Sequence, residues 1–170
     1  MVSGRSMETG VVPVHPAGRP GLTLSEDATL TRKQRTLRGD GRATLTWKGD
    51  LRFEAGTGEI VVPMDSSGVA GTPPPVLLLD ALAGCMAIDV IDILKKGRQE
   101  VRAMRVRISG DRMPDPPRYF TDVHMSFDIE GPVAEPKAER AVQLSMDKYC
   151  SVFHTLRSDL AFTYEIAIAD

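Results

Sequence analysis

The sequence predicts an α+β fold in which antiparallel sheets wrap a long, buried central helix. Two observations carry that class. Short segments of alternating apolar and polar residues, separated by turns containing glycine or proline, mark strands on either side of the chain's middle. Between them, residues 76–96 are apolar on nearly every side of a helical wheel, and such a helix has to be covered all round.

Residues 1–42 come first. They hold Pro13, Pro16, Pro20, several glycines and a basic run of Arg32, Lys33, Arg35, Arg38 and Arg42, without sustained periodicity. They read as a loosely ordered arm ahead of a domain spanning 43–170. The basic run reads first as a solvated tail or strand flank, and second as a site for an anionic ligand or nucleic acid. From Ala43 onward, Thr44 to Trp47, Leu51 to Ala55 and Glu59 to Pro63 form a meander with turns at KGD and GTG. Pro73, Pro74 and Pro75 suit the first turn of a helix, where a missing backbone donor costs nothing, so the helix of Val76 to Lys96 is expected to begin there.

After the helix, Met104, Val106 and Ile108 alternate with arginines. Val123, Met125, Phe127 and Ile129 alternate with polar residues, and the two stretches read as half-buried strands joined through GDRMPDPP. Pro136 then opens an amphipathic helix whose Ala138, Ala141, Val142, Ser145, Met146 and Tyr149 recur at spacings of three and four, leading into Cys150. Phe162, Tyr164, Ile166 and Ile168 form a last alternating strand. One sheet with a wet face covers a single flank of the central helix. The other flank calls for a partner, and a homodimer is expected, unless the second helix and the first strands suffice.

Composition narrows the function. Twenty-one basic against twenty-three acidic side chains leave a net charge of −2, which offers no broad positive field for nucleic acid or anionic lipid. The first ten residues lack the apolar run of a secretory signal. Asp80, Asp89 and Asp92 interrupt the long apolar segment, and each costs roughly 2.5–3.5 kcal/mol at the centre of a membrane. The reading is a cytoplasmic protein with no membrane span and no nucleic-acid partner, in a compartment that keeps thiols reduced.

Two cysteines remain, Cys85 in AGCMAID and Cys150 in KYCSV. They are too far apart along the chain to form a local Cys-x-x-Cys motif, so only the fold can bring them together. Taken alone, each reads more readily as a small hydrophobe than as a catalyst. The stretches LLLDALAGCMAIDVIDILKKGRQEV (77–101) and ERAVQLSMDKYCSV (139–152), with PPRYFTDVHMSFDIEG between them, closely resemble the OsmC/Ohr superfamily, and within it the YhfA-like branch. The resemblance runs from about Thr44 to Ile168.

That resemblance implies an OsmC-like fold, an intertwined homodimer, and paired cysteines that reduce organic hydroperoxides or hydrogen peroxide. Carried over, Cys85 is the peroxidatic thiol and Cys150 the resolving one. A thiolate attacks the O–O bond, becomes sulfenic acid, and is captured by the second thiol before it over-oxidises. An external dithiol restores the pair; in relatives acting on organic hydroperoxides it is typically a lipoyl group. No bound cofactor or metal is implied. An apolar pocket near Cys85 would favour organic peroxides.

The chemistry depends on a thiolate, and a thiol of ordinary pKa near 8.5 is only about 3% ionised at pH 7. A cation is needed. Asp89, one turn on from Cys85, would oppose ionisation unless it orients an arginine against the sulfur. Peroxide-reducing relatives use an arginine near the first hairpin, and Arg52 in KGDLRFE is the local candidate; it reads equally as an exposed hairpin residue. The same relatives carry a glutamate in the proline-led start of the helix. Here TPPPVLLL has none, which weakens the case for efficient turnover, although Glu54 or Asp89 could substitute.

Cys150 and His154, four apart, could share a helical face for metal binding or for activating the thiol, but two cysteines and three histidines do not suit a closed zinc site. His124 reads as a solvated strand residue, and Met86, Met104, Met125 and Met146 as core fillers. The function expected is thus a thiol-dependent peroxidase. Its alternative is a weakly active or non-catalytic redox-sensing or ligand-binding dimer.

Overall fold

The computed structural model describes residues 10–13, 43–57 and 59–170. The expectation of a loose arm falls largely outside them. What is described there is strand β1, Gly10–Pro13. The chain divides into two compact units, one lying within Ala17–Leu77 and the other containing Leu78–Asp170 and β1.

The first unit holds a three-stranded antiparallel meander in the order β2 (Thr44–Trp47), β3 (Arg52–Thr57), β4 (Ile60–Asp65). Its first turn needs left-handed backbone at two successive residues, and Gly49 (φ 95°) and Asp50 (φ 49°) supply it. Past β4, the buried Asp65 carboxylate accepts the Ser67 amide at 2.9 Å, the Ser67 hydroxyl at 2.8 Å and the Ala70 amide at 3.0 Å. Those donors, the Ser67 amide first, hold its pKa down to about 2. Gly71 closes the loop against the chain: a Cβ there would lie 2.6 Å from the Pro63 carbonyl carbon.

The second unit is built on α1, Pro74–Lys96, whose last turn carries Lys95 and Lys96 at the negative end of the helix dipole. Next come β5 (Ala103–Arg112) and β6 (Phe120–Glu130), then α2 (Glu135–Leu144), a π-helical turn (Ser145–Tyr149), α3 (Ser151–Thr155) and β7 (Ala161–Ala169). The strands form one sheet in the order β1-β7-β6-β5. Register explains its apolar face. Ile108, Val106 and Met104 of β5 lie opposite Met125, Phe127 and Ile129 of β6, which lie beside Tyr164, Ile166 and Ile168 of β7. That face, the stripe Leu79, Leu82, Met86, Val90 and Leu94 of α1, and Ala138, Ala141, Val142 and Phe153 from the helices after β6 form one core.

One expectation needs correction. The sheet is not purely antiparallel, because β6 and β7 run parallel, Asp122 beside Ala161 through Glu130 beside Ala169. The chain leaves the far end of β6 and returns through α2, the π turn and α3 to start β7 at the near end, as parallel neighbours require. One chain leaves part of α1 uncovered, in line with the single flank expected of one sheet. The sheet and α2 reach one stripe of it, and Ile88 stays 71% exposed. Among the described residues no helix is long and apolar enough to cross a membrane.

Candidate active site

Helix geometry puts Cys85 and Asp89 one turn apart on the same stripe of α1, next to the fully buried Met86 and Val90. Both are half-buried. The opposing wall comes from the end of α2. There the helix widens by one residue, and the Cys150 amide donates to the Ser145 carbonyl at 2.8 Å, five residues back. Cys150 itself leaves the helix in extended conformation (φ −69°, ψ 98°). Its sulfur then caps α3, accepting the Phe153 amide at 3.3 Å.

Both ends of the π turn meet α1. The buried Ser145 hydroxyl donates to Asp89 Oδ2 at 2.8 Å. Cys85 Sγ, Cys150 Sγ and a carboxylate oxygen of Asp89 all lie within 4.8 Å of one another. The fold thus brings together two thiols from distant parts of the chain. Both cysteines are free.

The two sulfurs differ in environment. Cys150 has no exposed surface, and burial pushes its thiol up to about 12. The Phe153 amide pulls the other way and is outweighed, and the neighbouring Cys85 and the charge on Asp89 add to the rise. Cys85, by contrast, keeps part of its surface in water.

The remaining sequence candidates lie elsewhere. Arg52 stands on β3 in the meander unit, its guanidinium 3.4 Å from Asp50. Glu54 pairs with Lys48 at 2.9 Å in the same unit. His154 is half-buried on α3, edge-on to the Phe153 ring. The only cluster of three metal-ligand side chains among the described residues is Cys85, Asp89 and Cys150, so the Cys150–His154 spacing does not define the ligand set. His124 is not simply solvated, since it hydrogen-bonds Thr163 Oγ1 at 2.8 Å. Ser145 is the site residue that sequence reasoning passed over. It reads as part of an apolar stripe, yet a serine in such a stripe needs a buried partner, and that is the available signal.

Comparison with known proteins agrees with this architecture. The OsmC-like protein family model matches residues 65–165. The chain is 35% identical over 133 residues to Protein YhfA of Escherichia coli K12, a match covering 75% of this chain and 99% of that protein. It superimposes on a hypothetical protein from Aquifex aeolicus VF5 with a TM-score of 0.71 and 27% identity, covering 78% of this chain and 99% of the other. An organic hydroperoxide resistance protein OsmC from Legionella pneumophila shares the fold, with a TM-score of 0.53 and 11% identity over 78% of this chain and 100% of that one. With more than half its length matched by the family model, and with that identity to YhfA, the chain belongs to the OsmC-like protein family.

Proposed function

We propose that this protein is a cytoplasmic thiol-dependent peroxidase that reduces organic hydroperoxides. One observation carries the reading: two free thiols, one half-exposed and one fully buried, lie within 4.8 Å of each other beside a carboxylate. The family supports it, since a relative of the same fold is named for hydroperoxide resistance.

In this reading the Cys85 thiolate attacks one peroxide oxygen, the O–O bond breaks, and the alkoxide leaves as alcohol after taking up a proton. Asp89 relays that proton from the thiol. Cys85 is now a sulfenic acid, and Cys150 attacks its sulfur, expelling water and forming a disulfide. Closure requires the sulfurs to approach to about 2.05 Å. Cys150 lies at the joint between the π turn and α3, and in this reading its side chain rotates to bring the sulfur to Cys85. An external dithiol, such as a lipoyl group, returns both thiols. The working form is a homodimer, supported by the apolar surface that one chain leaves exposed.

The test is consumption of cumene hydroperoxide by purified protein with dihydrolipoamide as reductant. Wild type turns over repeatedly and Cys85→Ser does not. A wild-type rate no higher than that of Cys85→Ser overturns the reading. A second reading, a redox-sensing dimer, is favoured by TPPPVLLL, which lacks a glutamate at the head of α1. It predicts one stoichiometric oxidation to disulfide without sustained turnover.

A further inference from the structure

We propose that the reduced Cys85–Asp89–Cys150 cluster is a binding site for Zn²⁺. The site stands on the geometry of the three side chains alone and needs no peroxide chemistry. Two thiols and a carboxylate offer an S₂O donor set, which suits a borderline-soft cation with tetrahedral preference. Zinc bonds of about 2.3 Å to sulfur and about 2.0–2.2 Å to oxygen put tetrahedral donors roughly 3.5–3.8 Å apart. The present limit of 4.8 Å is therefore closed by side-chain rotations of the order of an ångström.

Three further features fit a cation. The Ser145 hydroxyl fixes the Asp89 carboxylate, the supporting contact that metal ligands commonly have. The Lys and Arg ion pairs of this unit are Lys96–Asp92, Arg102–Glu100, Arg107–Asp128 and Arg157–Asp159, and among the described residues none includes Asp89. Three acidic groups thus converge with no lysine or arginine paired to their carboxylate, and a divalent cation offsets two of their three charges. Finally, Cys85 is half-exposed, which leaves a route in and a fourth coordination position for water. Binding releases the thiol protons to solvent: Zn²⁺ and two thiols give a zinc dithiolate and two protons.

The test uses the full-length, metal-free, reduced protein under argon, titrated with Zn²⁺ against a chromophoric chelator and, separately, with Co²⁺. One Zn²⁺ per chain is expected, with a thiolate-to-cobalt charge-transfer band in the Co²⁺ form. Cys85→Ser and Cys150→Ser weaken binding by about 100-fold or more, and Ser145→Ala by about 10-fold, the scale of a lost supporting partner. Should a serine variant fail to fold, the wild type still decides. One equivalent of Zn²⁺ shields Cys85 from iodoacetamide, and a chelator restores labelling. Substoichiometric binding, binding unchanged in Cys85→Ser or Asp89→Asn, or unslowed labelling with zinc bound would each overturn the proposal. The peroxidase reading fails separately, by lack of hydroperoxide consumption in the metal-free protein.

Discussion

Cys150 is sealed in the core and Cys85 is not, so the two thiols should part company towards any soluble electrophile. At pH 8, iodoacetamide is expected to alkylate Cys85 at least about 10-fold faster than Cys150, as peptide mass spectrometry would read; the reverse order would invert their roles. The raised Cys150 pKa also carries a stability consequence. A thiol that ionises at 9.0 in the unfolded chain and about 12 in the folded one stabilises the fold below pH 9, and that contribution is lost as pH rises from 9 towards 12. Cys150→Ala should flatten that part of the melting curve's alkaline decline. Asp65 has the opposite sign. Its pKa is lowered from 3.8 to about 2, so its contribution is present above pH 4 and lost as pH falls through 2. Melting temperatures of wild type and Asp65→Asn should converge at the acid end.

Elements were legible where period decides them. The alternation of Met104, Val106 and Ile108 in β5, the all-round apolar run of α1 and the three-four spacing of α2 each imply one secondary structure, and the structure has them there. Two features left no such mark. Alternation is the same whichever way a neighbouring strand runs, so β6 and β7 gave no sign of being parallel. The π turn adds one residue to a helix without changing its composition, so nothing in SMDKY signals that Ser145 and Cys150 both reach α1. The site was therefore half legible: Cys85 and Cys150 stood out as the only two cysteines in the chain, while the contact that orients Asp89 did not. Deleting the exposed Lys148 should convert the π turn to regular α-helix, with the Cys150 amide still donating to the Ser145 carbonyl, then four residues back. Far-UV circular dichroism and disulfide formation under peroxide should then both persist, and loss of the disulfide would show that Cys150 needs the wider turn.

For the whole molecule, the informative surface is the one left apolar. Ile88 on α1 is 71% exposed, and it lines a groove of about 760 Å³ with Ala83, Ala87, Ile91, Met104 and Val106. In the meander, Leu45, Trp47 and Ile60 are 54%, 65% and 70% exposed. Surfaces of this kind mark association sites. Light scattering is expected to give twice the 18.5 kDa chain mass, and Ile88→Glu to give the single chain; an unaltered dimer would move the interface elsewhere. One consequence of the crossover reaches past chemistry altogether. Because Cys150 is enclosed only when the segment between β6 and β7 is docked, a bulky thiol reagent reaches it only during excursions from the native state. Its modification rate, followed as denaturant is added, serves as a clock built into the polypeptide for how often that segment lets go.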